Sequence, residues 1–312
     1  MKLILTGPTA VGKTSLSIKI ARALQVPIIS ADSRQCYKYL NIGTSTPTLS
    51  ELSRIPHFNI SCLEPGQKES VSHFQDRVAT IRQKYLHNTS LEFFTGGSTL
   101  YVQSLFQPLD DLPPTDPVIR DQVREKLAND GIETLKEELE RIDPEYAVSM
   151  DGFNTQRICR ALEIYYQTGK PFSSFHSSEK RGEAPSPTTN ELVFVLTRNR
   201  DRLYDRINRR VFRMTEMGLL KEVEAILNRG YSPQLQSLNT VGYKEPLSYL
   251  RGEMNWETMI HKIQTSTRRY AKRQLTWFRR WKNVTWIDLD QKSDDDVLHE
   301  VLRKVAAYRR NS

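Results

Sequence analysis

The chain has 312 residues, room for one large domain or two ordinary ones, and its 38% hydrophobic and 26% charged residues suit a packed globular core and exclude a disordered chain. Lys and Arg number 45 against 37 Asp and Glu, a formal charge of +8, and the sequence pI near 9.3 is the footprint of a nucleic-acid binder. Cys36, Cys62 and Cys159 show no zinc or disulfide spacing, no apolar run reaches membrane-spanning length, and the first motif starts too early for a cleaved signal peptide, so the expected setting is a reducing cytoplasm with no membrane partner.

In chain order, KLILT (2–6) reads as a buried strand and leads into GPTAVGKT (7–14), after which SLSIKIARAL is a helix pattern. VPIIS (26–30), FNIS (58–61) and LEFFT (91–95) are further short apolar runs separated by helical patterns, the signature of a parallel sheet covered on both faces. From Asp110 to Thr189 no strand pattern occurs. Instead IRDQVREKLA, TLKEELERI and TQRICRALEIYYQTG read as helices, flanked by the turn-rich DDLPPTDP and SSEKRGEAPSPTTN. The strand patterns resume at LVFVLT (192–197) and VTWIDL (284–289). Between these two, a long helix is expected with Leu203, Ile207, Val211 and Met214 on its apolar face. The expected fold class is therefore α/β: a P-loop NTPase-like parallel sheet core (1–111 and 191–312) with an all-helical insertion (112–190) and a helical, basic C-terminal region.

The spacing G-x-x-x-x-G-K-T between a strand and a helix is a phosphate-cradling loop. Gly7 and Gly12 let the backbone N–H groups of Gly7, Pro8, Thr9, Ala10, Val11, Gly12, Lys13 and Thr14 (Pro8 excepted) converge on phosphate oxygens at a helix N-terminus, where the dipole favours anions. Lys13 supplies a charge for the outer phosphate and the Thr14 hydroxyl can ligate Mg²⁺. A nucleotide is the default occupant, yet the chain has no second nucleotide-binding element. Asp32, in IISADSRQCY, falls just past the second strand, at the strand end where open α/β sheets bind ligands. It can hold a metal, act as general base, or simply cap DSRQCYKYL, with Gln35 at the capping-box position.

Taken together, GPTAVGKT (7–14), ADSRQCYKYLNIGT (31–44), FTGGSTLYVQSL (94–105), QRICRALEIYYQTGKP (156–171), RINRRVFRMTEMGLLKEV (206–223), VGYKE (241–245) and RRYAKRQLTWFRR (268–280) resemble the tRNA dimethylallyltransferases, also called tRNA isopentenyltransferases, over residues 1 to about 282. The resemblance departs at Ser45-Thr46-Pro47 for Ala-Lys-Pro, at His57-Phe58 for a His-His pair, at Ser98 for Thr in GGT, and at DGFNT before QRICR. No C-terminal zinc-finger extension of the kind some eukaryotic members carry is expected from these 312 residues.

The resemblance implies transfer of a dimethylallyl group from dimethylallyl diphosphate to N6 of the adenosine 3′ to the anticodon (position 37) in tRNAs reading codons that begin with U, with Mg²⁺ as cofactor. The loop then holds the diphosphate leaving group. Arg206, which shares a helix face with Arg210, is the expected catalytic arginine beside Thr14, and Asp32 the base that takes the N6 proton. Ser33, Arg34 and Gln35 would hold an extruded adenine, while Ser98 and Arg120 match family positions near the tRNA.

From Thr258 to Ile287 the chain has no acidic residue but carries Lys262, Arg268, Arg269, Lys272, Arg273, Arg279, Arg280 and Lys282. Trp277, Phe278 and Trp281 are interleaved with them, either to stack on unpaired bases or to anchor the core. The QRICR segment (Gln156, Arg157, Ile158, Cys159, Arg160) is expected to clamp the anticodon stem-loop, and the chain to act as a monomer. Two other readings fit parts of the pattern: a small-molecule kinase with a helical lid, and a non-catalytic P-loop RNA-binding module. Neither explains the acid-free basic stretch together with Asp32.

Overall fold

A computed structural model of the chain describes residues 1–87, 89–107, 110, 112–150, 154–175 and 184–311. The strands are β1 (Lys2–Thr6), β2 (Ile28–Ser30), β3 (His57–Phe58), β4 (Glu92–Gly96), β5 (Glu191–Thr197) and β6 (Thr285–Asp288). The helices are α1 (Lys13–Leu24), α2 (Leu49–Leu52), α3 (Val71–Tyr85), α4 (Thr99–Gln103), α5 (Pro117–Ile142), α6 (Pro144–Ser149), α7 (Thr155–Thr168), α8 (Arg200–Glu216), α9 (Leu219–Asn228), α10 (Lys244–Leu250), α11 (Trp256–Phe278) and α12 (Asp294–Asn311).

All six strands are parallel, in the order β3-β2-β4-β1-β5-β6. Successive residues of β1 face opposite sides, and both sides are covered. Leu3 and Leu5 pack with Leu16 and Ile20 of α1 and Val297 and Val301 of α12, while Ile4 packs with Phe74 of α3, Val102 of α4 and Phe278 of α11. The unbroken apolar runs that mark these strands in the sequence follow from that two-sided burial. The third strand stops at Phe58 instead of reaching residue 61, because Asn59 (φ 61°) and Ser61 (φ 46°) turn left-handed.

The chain divides into two compact units, Met1–Gln107 with Ala184–Ser312, and Pro108–Glu183. Residues 184–190 thus belong with the sheet instead of the helical block: Lys282 N–H donates to Pro185 O (3.0 Å) and Lys2 N–H to Asn190 O (2.9 Å). In the helical unit, Asp116 caps α5 by accepting from Val118 and Ile119 N–H, and the two helices expected at 119–128 and 134–142 are both present within its span, separated by the non-helical backbone of Gly131 (φ 79°, ψ 171°). Val123, Leu135, Leu139, Ile158 and Leu162 form its own core. Of the turn-rich flanks, Asp111 and residues 176–183 lie outside the described residues, as does the 151–153 part of the DGFNT departure.

Candidate active site

The turn after β1 is held open by backbone conformation. Gly7 (φ 148°) and Gly12 (φ 121°) adopt angles that L side chains rarely take, and a Cβ on Gly7 would lie 2.6 Å from Leu196 O. The helix α1 then starts with no side-chain cap and no acidic residue in its first turn, so its leading N–H groups stay available to an anion. The loop carbonyls are turned onto cations: Lys13 Nζ donates to Gly7 O (2.8 Å) and Pro8 O (2.9 Å), Arg206 Nε to Ala10 O (2.8 Å), and Arg198 Nε to Val11 O (2.9 Å). Arg210 Nη1 donates to Thr9 Oγ1 (3.1 Å). Thr9 N–H donates to Gln274 Oε1 (2.9 Å) and Pro8 has no N–H, so neither backbone position offers the phosphate a donor.

Positive charge is crowded here and raises the local potential. Burial pushes the Lys13 ammonium down to about 7, with Asp32 pulling it back up and Arg210 pushing the same way as burial. Burial likewise brings the Arg210 guanidinium down to about 10. Arg206 is lowered by burial and then by its neighbour Arg198. Such a site favours a multiply charged anion because each cation is relieved by it.

Asp32 leaves the end of β2 and does cap a turn: its Oδ1 accepts from Arg34 N–H (2.8 Å) and Gln35 N–H (3.3 Å). The segment it caps is a run of turns, not the helix the sequence suggested. Among the described residues nothing donates to Oδ2, so capping and a chemical role are compatible. Ser98, just past β4, accepts from Ser33 N–H through Oγ (2.8 Å) and lies 3.1 Å from Ser33 Oγ. Burial and the nearby Asp32 hold the Tyr270 phenol well above the usual tyrosine range. Gln35 is engaged, accepting from Ser30 Oγ (3.0 Å) and donating to Ser45 O (3.1 Å), while Arg34 donates to Gln236 O (3.1 Å).

Of these groups, the phosphate loop, Asp32 to Gln35, Arg206, Arg210, Tyr270 and Gln274 line one cavity of about 1310 Å³ at the carboxyl ends of the strands, within the sheet unit. Lys13, Thr14, Asp32, Arg206 and Arg210 form its polar part; Ile42, Ile207, Val211 and Met214 are among its apolar lining. Beside it, Lys13, Thr14, Ser17, Asp32 and His57 border a pocket of about 40 Å³. Among the described residues no cluster of three His, Cys, Asp or Glu side chains could hold a metal. One hydroxyl and one carboxylate on a phosphate site are nonetheless the donor set that Mg²⁺ uses when phosphates complete its shell.

The loop 41–46 that forms one wall is clamped from α9. Glu222 accepts from the N–H groups of Asn41 (3.0 Å), Ile42 (2.9 Å) and Gly43 (3.3 Å), and from Tyr243 OH (2.7 Å). Neither Glu222, Gln274 nor Arg198 was singled out from the sequence. A signal existed for Gln274, a polar residue spaced three from Ala271 and four from Phe278 on one buried helix face.

On α11, Arg269, Lys272 and Arg273 are exposed, whereas Arg268 is half-buried and donates to Asn208 Oδ1 (2.6 Å). The interleaved aromatics are anchors, not a stacking platform. Phe278 and Trp281 are buried, and both Trp277 Nε1 and Trp281 Nε1 donate to Gln103 Oε1. In the helical unit Gln156 and Arg157 are exposed, and Cys159 is half-buried. Ile158 is fully buried in that unit's core and packs instead of touching a ligand, which corrects its place among the tRNA contacts. Arg120 and Arg160 both share Glu163 and Thr115, and Arg160 also donates to Pro113 O (2.9 Å).

A family model described as IPP transferase matches residues 35–281, and one described as Isopentenyl transferase matches residues 1–61. A tRNA dimethylallyltransferase of Pelotomaculum thermopropionicum is 39% identical over 303 residues, covering 97% of this chain and 95% of the relative. One of Salinibacter ruber is 40% identical over 306 residues, covering 96% and 91%. The crystal structure of the full-length tRNA isopentenylpyrophosphate transferase of Bacillus halodurans superposes with a TM-score of 0.71 at 35% identity, covering 99% of this chain and 97% of that one. The phosphate loop, the carboxylate at the next strand end and these likenesses over nearly the whole length agree: the chain belongs to the IPP transferase family, the tRNA dimethylallyltransferases.

Proposed function

We propose that the chain transfers the dimethylallyl group of dimethylallyl diphosphate to N6 of the adenosine at position 37, 3′ to the anticodon, in tRNAs reading codons that begin with U. The C1–O bond of the donor breaks, the C1–N6 bond forms, the N6 proton passes to Asp32, and diphosphate departs. The observation that carries this reading is Asp32, with one oxygen committed to its turn and the other accepting no hydrogen bond among the described residues, on the same cavity as a cation-lined phosphate loop.

The adenine amine is a poor nucleophile, since its lone pair is delocalised into the ring. A positioned carboxylate contributes about 10²–10⁴ in rate by taking the proton during attack. On the donor side, negative charge grows on the departing diphosphate, and Lys13, Arg206 and Arg210 line the same cavity as the uncapped start of α1, where they would offset it. Arg206 and Arg210 both reach the loop, so the assignment extends to the pair. The Thr14 hydroxyl would hold Mg²⁺, which when bound offsets diphosphate charge. The exposed Arg269, Lys272 and Arg273 would meet RNA phosphates, and Gln156 and Arg157 those of the anticodon stem. The proposed setting is the cytoplasm, with the monomer as the working form.

Mass spectrometry of nucleosides from tRNA incubated with the chain, dimethylallyl diphosphate and Mg²⁺ tests the reaction. N6-dimethylallyladenosine is the expected product, and unmodified adenosine throughout would refute it. Asp32→Asn should retain tRNA binding and lose transfer by at least about a hundredfold. Lys13→Ala should weaken donor binding while leaving tRNA affinity intact; an equal loss of tRNA binding in both variants would contradict the separate roles.

A further inference from the structure

The donor side and the acceptor side of the cavity are tied together by a buried amide. Gln274 lies on α11, is 2% exposed, and carries a polar group into a helix face that is otherwise apolar. An amide is costly to bury unless both of its ends are matched, and here both are. Its Oε1 accepts from Thr9 N–H of the phosphate loop (2.9 Å), and its Nε2 donates to Gly97 O (2.6 Å). Gly97 leads into Ser98, whose Oγ accepts from the N–H of Ser33, the neighbour of Asp32. A Cβ at Gly97 would lie 2.6 Å from Gln274 Nε2, so only glycine leaves the amide its place.

We infer that Gln274 is a positioning residue for the transfer, holding the loop that grips the donor and the turn that carries Asp32 at one fixed separation. It acts through Thr9 on one side and through Gly97, Ser98 and Ser33 on the other. Attack on C1 with simultaneous proton removal requires donor, amine and carboxylate in register, and a misplacement of about 1 Å costs on the order of a hundredfold in rate. The assignment rests on the reaction proposed above.

The test is steady-state transfer by the full chain from dimethylallyl diphosphate, with Mg²⁺, to an anticodon stem-loop carrying a run of adenosines. Gln274→Leu removes both hydrogen bonds at similar volume; Gln274→Glu keeps an acceptor for Thr9 but sets a carboxylate oxygen against Gly97 O. Both should lower kcat by at least about tenfold, with donor KM and stem-loop affinity within about threefold of wild type; the thermal midpoint falls in both because buried partners are left unmatched, so rates are compared at a temperature where circular dichroism shows each variant folded. A folded Gln274→Leu with kcat near wild type, or a loss confined to donor KM, overturns the inference. Gly97→Ala interrogates the same link from the other end. It should lower kcat similarly, and adding Gln274→Ala, which makes room for the new Cβ, should cost no further rate, whereas losses that multiply overturn it. A wild-type chain that leaves the stem-loop unmodified refutes the reaction itself and is distinguished by that control from any ratio between variants.

Discussion

Lys13 is the residue whose charge state reports most directly on the ligand. Its folded pKa of about 7 lies below the 10.5 of a free lysine, so between these values the unfolded chain binds more protons than the folded one. Stability of the ligand-free chain should therefore rise with pH across that window through this group, and Lys13→Met should flatten the rise in thermal midpoint. Diphosphate favours the ammonium, so binding at about pH 8 should take up a proton and weaken as pH increases. Calorimetry in buffers of different ionisation enthalpy checks this; uptake that persists in Lys13→Met would assign the proton elsewhere. Lys13, Thr14 and Asp32 were legible in the sequence because a fixed spacing and a strand end define them locally. Arg198 was not. It stands in the sequence as another cation among many, and its role follows from β5 ending beside the loop, where Asp290 and Leu289 O orient it (2.9 Å each).

At the scale of elements, the strands read well because parallel strands buried on both faces leave continuous apolar runs. The basic stretch of α11 read less well. Its cations are largely exposed as expected, but the spacing Ala271, Gln274, Phe278 marks a face that turns inward and takes Trp281 with it. One-dimensional charge density says nothing about which neighbours share a face with the sheet. The wall loop 41–46 is a second case, since its order comes from Glu222, some 180 residues away in sequence. A Cβ on Gly43 would lie 2.3 Å from the fully buried Tyr243 ring. Gly43→Ala should thus destabilise the chain by about 1–3 kcal/mol in denaturant titrations. It should also raise KM for the stem-loop more than KM for the donor, because the displaced wall carries the carbonyls that hold Gln35.

At the scale of the whole molecule, the +8 formal charge and the exposed α11 cations predict that tRNA affinity falls steeply from low to moderate salt, while donor affinity changes far less. Filter binding over a salt series measures the slope, and a flat line would remove the electrostatic surface from the proposal. The helical unit has its own core, so Leu139→Ala should cost that unit about 2–5 kcal/mol and weaken tRNA capture while donor binding survives. The helical character of that block was evident from its lack of strand patterns; its end was not, because residues 184–190 owe their place to hydrogen bonds with Lys2 and Lys282. The central strand β1 pairs on one side with β4 and on the other with β5, in the register Lys2↔Glu92 and Lys2↔Glu191. During synthesis, then, the first strand made waits half-paired until Glu191 has left the ribosome. A translation product halted before Arg198 would display the glycine turn with no arginine to draw the Ala10 and Val11 carbonyls aside, so the loop gains its full set of cations late, as a property of the finished polypeptide.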